Sequence, residues 1–70
     1  MSMEEVVIIT RDVNGERLNH YLVWDKVAKY AYDMRHSDDE ILLVMVENIC
    51  IYSELEANPI TWDDIVGFFG

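Results

Sequence analysis

The sequence predicts a small α+β domain with the element order ββαββα. Two observations carry this prediction: apolar, β-branched segments stand beside tight-turn signals, and two other segments repeat apolar side chains at helical spacing. Of the 70 residues, 51% are hydrophobic, which is too many for a disordered acidic tail. We therefore expect a single domain over residues 1–70, in which a small antiparallel sheet of three or four strands carries two helices.

A first hairpin is predicted from the β-branched residues 6–10 and the turn dipeptide Asn14-Gly15, with residues 18–24 as the return strand. If Asn14 and Gly15 form a two-residue turn, Ile9 pairs with His20. One face of the hairpin then holds Val7, Ile9, His20, Leu22 and Trp24, and the other holds Val6, Ile8, Tyr21 and Val23.

The first helix is predicted over residues 25–35. Asp25 is a good N-cap, and four apolar side chains follow it at the i, i+3, i+4, i+7 spacing of an amphipathic helix. The residues expected to be buried are Val27, Tyr30, Ala31 and Met34.

Residues 41–52 predict a second hairpin, because they are apolar nearly throughout and rich in β-branched side chains. A turn at Glu47-Asn48 would pair Val46 with Ile49 and Val44 with Ile51. One long strand with a bulge is the alternative interpretation of this segment.

A second, shorter helix is predicted over residues 62–69. It follows the turn signal Asn58-Pro59, with Thr61 as N-cap and Asp64 at the capping-box position. Residues 24–30 and 62–68 share the pattern W-D-x-(V/I)-(A/V)-x-(Y/F). This similarity is either an imperfect repeat of a ββα unit or two helix starts that share an aromatic anchor.

Charge excludes two classes of function. The chain has 14 acidic residues against 5 basic ones, a net charge of −9. The bases are scattered singly, so neither direct nucleic-acid binding nor attachment to an anionic membrane surface is expected. The sequence has no apolar run of transmembrane length and no signal-peptide pattern, so we expect a cytoplasmic protein.

The acids are concentrated in the second half of the sequence. Residues 1–35 hold six acids and all five bases, whereas residues 36–70 hold eight acids and no base. Such asymmetry indicates an interaction surface rather than a fold. The predicted partner-binding residues are Asp38, Asp39, Glu40, Glu47, Glu54, Glu56, Asp63 and Asp64.

The residues that carry chemistry do not form a catalytic or metal-binding pattern. His20 and His36 lack zinc-ligand spacing, no serine lies in a nucleophile elbow, and three scattered glycines cannot form a phosphate loop. Cys50 is the only cysteine, and its apolar neighbours predict a buried thiol. His20 is expected to be partly buried and hydrogen-bonded. We expect no catalytic residue, no metal and no cofactor.

Two functional hypotheses follow. In size, acidity and lack of a catalytic signature, the chain resembles the small acidic proteins of phages and mobile elements, such as anti-CRISPR and anti-restriction proteins. That resemblance implies an inhibitor which occupies a basic, nucleic-acid-binding surface of a partner by charge mimicry. The alternative is an interaction or assembly module, including a homodimer, that acts through apolar contacts. Its candidate anchors are Tyr32, Phe68 and Phe69.

Overall fold

The computed structural model describes residues 4–56 and 58–70, and it has the predicted α+β architecture. The element order is ββαββα, and the four strands form one antiparallel sheet in the order β2-β1-β3-β4. The elements are β1 (Glu5–Arg11), β2 (Arg17–Val23), α1 (Trp24–Met34), β3 (Glu40–Val46), β4 (Ile49–Ser53) and α2 (Trp62–Phe69).

The predicted register of the first hairpin is wrong by one residue. Ile8, not Ile9, pairs with His20. The turn closes through hydrogen bonds from Gly15 N to Asp12 O and from Asp12 N to Glu16 O, so the loop has three residues rather than two. Only Gly15 in this loop has positive φ, at 84°, which is the pattern of a type I turn followed by a left-handed residue.

Because of this one-residue shift, each residue of β1 pairs with a different residue of β2 than predicted and shares a sheet face with it. On β1, Val6, Ile8 and Thr10 are buried beneath the helices. On β2, Leu22 and His20 lie on that same face, opposite Val6 and Ile8. The opposite face carries Val7 and Ile9 of β1 together with Tyr21 and Asn19 of β2.

The second hairpin forms as predicted. Glu47 and Asn48 have φ values of 49° and 66°, as a type I′ turn requires, and Val46 pairs with Ile49. The predicted pairing of Val44 with Ile51 is wrong, because an irregularity between Val44 and Met45 shifts the register. Val44 instead pairs with Tyr52.

Both helices begin at a tryptophan. The start of α2 is as predicted, since Thr61 accepts from the backbone of Asp64 and the Asp64 carboxylate accepts from the backbone of Thr61. The predicted N-cap of α1 is wrong: Val23 occupies that position without a side-chain cap, and Asp25 lies in the first turn. Strand β2 runs into α1 without a loop, and Trp24 N donates to the carbonyl of Glu4. Neither helix described here is long and apolar enough to cross a membrane.

The core lies between the two helices and one face of the sheet. It combines the helix-facing residues of β1 and β3 with the inner faces of α1 and α2, and Val27 and Ala31 are fully buried as predicted. Tyr30 and Met34 pack against this core while partly buried. Trp62 lies beside Tyr30, and Phe69 lies beside Trp24, so the two helices run antiparallel.

Candidate functional site

Three connections of the chain meet at one end of the sheet, which we call the loop end. It comprises residues 11–17, 35–40, 54–56 and 58–64. Each strand or helix runs in the opposite direction to the strand or helix before it. The β1–β2, α1–β3 and β4–α2 connections therefore all return to the same end, while the β3–β4 turn lies at the other.

Seven of the eight predicted partner-binding acids lie at the loop end. Asp38 and Asp39 are in the α1–β3 connection, and Glu40 is the first residue of β3. Glu54 and Glu56 follow β4, while Asp63 and Asp64 are in the first turn of α2.

Glu47 does not join this group. It lies in the β3–β4 turn at the opposite end, roughly 20 Å away by strand length, where its Oε1 accepts from Glu5 N at 3.0 Å. Glu47 therefore lies far from Glu54 and Glu56, at the opposite end of the second hairpin. Asp12 and Glu16, from the first half of the sequence, do belong to the loop end, and only the strand topology reveals this.

The net charge of the loop end is −6, from nine acids against three arginines. The opposite end has four acids and Lys26, a net charge of −3, and Lys29 and Asp33 form a neutral pair along α1 at 3.6 Å. Together these account for the total of −9. The nine acids are Asp12, Glu16, Asp38, Asp39, Glu40, Glu54, Glu56, Asp63 and Asp64.

Arg11 neutralises part of this charge. Its Nη2 donates to Glu40 Oε1 at 2.8 Å and lies 4.0 Å from Glu54 Oε1. The hydrogen bond to Glu40, followed by the charge of that carboxylate, raises the pKa of Arg11. All three side chains are substantially exposed, so the pair contributes little to stability and fixes side-chain positions instead.

Two loop-end acids hold local backbone structure. Asp12 Oδ1 accepts from the backbone of Asn14 and of Glu16, each at 2.9 Å, and Asp64 completes the capping box of α2. Glu40 and Glu54 face Arg11, the charge of Asp39 acts on His20 and Tyr30, and the other four make no side-chain hydrogen bond or ion pair with the described residues. These acids, available to a partner, are Glu16, Asp38, Glu56 and Asp63.

A polar cluster inside the fold joins Thr10, His20 and Tyr30. Thr10 Oγ1 lies 2.9 Å from His20 Nε2, and the other ring nitrogen bonds the hydroxyl of Tyr30. Burial lowers the pKa of His20 and raises that of Tyr30, while the nearby Asp39 carboxylate opposes the shift on His20. Thr10 is fully buried, so no substrate reaches its hydroxyl, and the cluster holds β1, β2 and α1 together. The predicted partly buried, hydrogen-bonded His20 is confirmed.

Exposed apolar side chains lie along the edge between β4 and α2. Phe68 is 60% exposed, whereas Phe69 is 7% exposed and packs edge-on against Trp24. Phe69 is therefore a core residue and not an exposed anchor. Ile51 and Phe68 are shared by two adjacent grooves of about 250 Å³ each, and Ile49 lines the second.

Tyr32 is exposed on α1, where its ring stacks with the Arg35 guanidinium at 3.8 Å. Cys50 is also exposed, so its predicted burial is wrong. The reason is that Cys50 lies on the edge strand β4 and pairs with Met45 on the sheet face that the helices do not cover. Its apolar sequence neighbours lie on the same edge strand rather than in the core.

Within the described residues, no three side chains of His, Cys, Asp or Glu converge as a metal site would require. Comparison with protein-family models, with curated proteins and with solved structures finds no match to this chain. The candidate site therefore rests on the geometry and charge of the loop end.

Proposed function

We propose that this protein is a non-enzymatic acidic binding protein whose loop end occupies a basic, nucleic-acid-binding surface of a partner protein. The observation that carries the proposal is the net charge of −6 collected at one end from three separate connections. In this proposal the carboxylates take the place of phosphates, and the partner supplies the lysines and arginines. It is an inhibitor of the anti-CRISPR or anti-restriction type.

The four unpartnered carboxylates of the loop end support this proposal. Glu16, Asp38, Glu56 and Asp63 come from all three connections, so a partner surface can meet them together. Because they have no intramolecular partner to lose, charge-assisted hydrogen bonds to a partner's arginines come at little cost within this protein. Their collective field would also accelerate encounter with a basic partner, and salt would weaken that effect.

The test compares two double charge reversals that change the net charge equally. Asp38→Lys with Glu56→Lys alters the loop end, and Asp25→Lys with Glu47→Lys alters the opposite end. Each protein is immobilised and exposed to lysate of the cells in which it occurs. Captured proteins are then eluted with double-stranded DNA and identified by mass spectrometry.

Charge mimicry predicts that DNA elutes nucleic-acid-binding proteins from the wild type and from the opposite-end variant. The loop-end variant should retain at least about tenfold less of the same proteins, because two attractive contacts become repulsive. Circular dichroism of both variants is the control for folding. Equal retention by the two variants contradicts the proposal, as does capture that DNA does not compete away.

A second candidate function is protein–protein recognition through the apolar edge between β4 and α2. Ile49, Ile51 and Phe68 are exposed there, and they surround the two adjacent grooves. Tyr52 lines the first groove and has a buried hydroxyl without a hydrogen-bond partner among the described residues. If this edge is the binding surface, Phe68→Ser abolishes capture, and raising the salt concentration leaves wild-type capture unchanged.

A further inference from the structure

The sheet face opposite the helices, which we call the open face, is apolar across its two central strands. Val7 and Ile9 of β1 lie there beside Met45 and Leu43 of β3. Sheets with one solvated face usually alternate apolar and polar residues along each strand, whereas strands covered on both faces read as continuous apolar runs. Strands β1 and β3 have the second pattern, although helices cover only one of their faces.

A groove of about 270 Å³ runs along this open face between Ile9, Leu43 and the segment that follows β4. Leu55 forms one wall of the groove and is 88% exposed. An apolar groove with an exposed leucine at its rim is a surface that gains free energy when another apolar surface covers it.

The charges that border the open face differ between its two ends. Along β1 the side chains on this face run from Glu5, through Val7 and Ile9, to Arg11. Arg17 of β2 lies directly opposite Arg11, an arrangement of like charges that is unfavourable across strands. Arg11 is neutralised by Glu40, whereas Arg17 makes no ion pair within the described residues.

We propose that the open face binds a second copy of this chain, forming a two-fold symmetric sandwich of two sheets. The axis lies between the sheets and runs across the strands, so the strands of the two copies point in opposite directions. Each strand then crosses over its own copy, so Glu5 lies over Arg11 of the other copy, which Glu40 neutralises, and beside Arg17 on the adjacent strand, whose missing partner it supplies. A two-fold axis along the strands would instead place the two loop ends together, each with a net charge of −6, so the charges select the first arrangement.

The same symmetry places matching apolar rows against each other. The row that contains Val7 and Met45 faces the row that contains Ile9 and Leu43 in the other copy. Met45 of one copy enters the groove beside Leu43 of the other, where its flexible side chain can fill an irregular space. This interface borders the loop end and shares Arg11, Arg17 and Leu55 with it, but it uses none of the four unpartnered carboxylates of the proposed function.

The first test measures mass by sedimentation equilibrium over a concentration series. The wild type should approach twice the 8.2 kDa chain mass as concentration rises. Met45→Lys should weaken the dimer at least about 100-fold, because it buries an unpaired charge. Tyr32→Lys introduces the same charge on α1, on the far side of the sheet, and should leave the dimer unchanged. A wild type that stays monomeric at millimolar concentration overturns the proposal, and so does equal weakening by both variants.

The second test uses charge exchange and does not depend on the folding of Met45→Lys. Glu5→Arg alone and Arg17→Glu alone should each weaken the dimer about tenfold, since two symmetry-related pairs are lost together. The double variant should recover the wild-type dissociation constant, because the exchanged charges attract again. Failure of the double variant to recover overturns the proposed arrangement, because a single-copy or differently oriented surface predicts no such rescue.

Discussion

Two adjacent phenylalanines near the end of α2 allow a direct test of how this helix packs. Phe69 is nearly buried, with its ring centroid 4.6 Å from that of Trp24, whereas most of the Phe68 surface faces solvent. Replacing each with alanine removes the same atoms at neighbouring positions. Any difference in stability therefore reports which side of α2 faces the core.

The expected magnitudes follow from burial. Truncating a buried phenylalanine costs about 3–5 kcal/mol, because apolar contact is lost and a cavity remains. Phe69→Ala falls in this range, a large part of the roughly 4–10 kcal/mol expected for a domain of this size. Phe68 has about two fifths of its surface covered, so Phe68→Ala should cost only about 1 kcal/mol.

The assay is equilibrium unfolding in urea, followed by tryptophan fluorescence. With a slope of about 1 kcal/mol per molar urea, the midpoint should fall by about 3 M or more for Phe69→Ala and about 1 M for Phe68→Ala. Phe69→Leu should fall between them and guards against complete unfolding of the alanine variant. Equal midpoints for the two alanine variants would refute the helix orientation.

Three further predictions each concern a single residue. In dilute solution, below the dissociation constant of the proposed dimer, Cys50 should react with a thiol reagent nearly as fast in the native protein as in denaturant, because it is exposed in the single chain; strong native protection there would contradict its edge position. Thr61→Ala should lower the unfolding free energy by about 1 kcal/mol through loss of the α2 cap, measured by thermal denaturation, and Thr61→Ser should restore it. Burial lowers the pKa of His20 below its usual 6.5, so the unfolded chain binds a proton more readily. Stability should therefore be highest above pH 6.5 and fall as the pH drops below it, and His20→Asn should remove that part of the pH dependence.

The elements themselves were predictable because their signals are local. The spacing of Val27 and Ala31 depends only on helical periodicity, and the capping box of Thr61 and Asp64 spans a single turn. The turn at Glu47-Asn48 was also predicted from the two β-branched runs beside it, although the same runs allowed one long strand as the alternative. Both tryptophans of the W-D pattern begin a helix, and each helix follows a hairpin in the element order ββαββα.

The register of the first hairpin and the exposure of Cys50 were less predictable, since they depend on side-chain contacts and strand order that the apolar pattern of the sequence does not specify. The Asp12 carboxylate holds two backbone amides and selects a three-residue loop, which moves every pairing of the first hairpin by one residue. Cys50 has apolar neighbours in sequence, yet it lies on an edge strand with no neighbour on its outer side.

The sequence by itself determined the element types, their order and the total charge, because residue periodicity and composition are properties of the chain. Only the tertiary structure decided where that charge lies. Successive elements reverse direction, so Asp12 and Glu16 join acids that are 22 or more residues away, while Glu47 is carried to the opposite end. A binding surface depends on which residues lie close together in space. Here the reversal of direction between successive strands and helices decides which acids do.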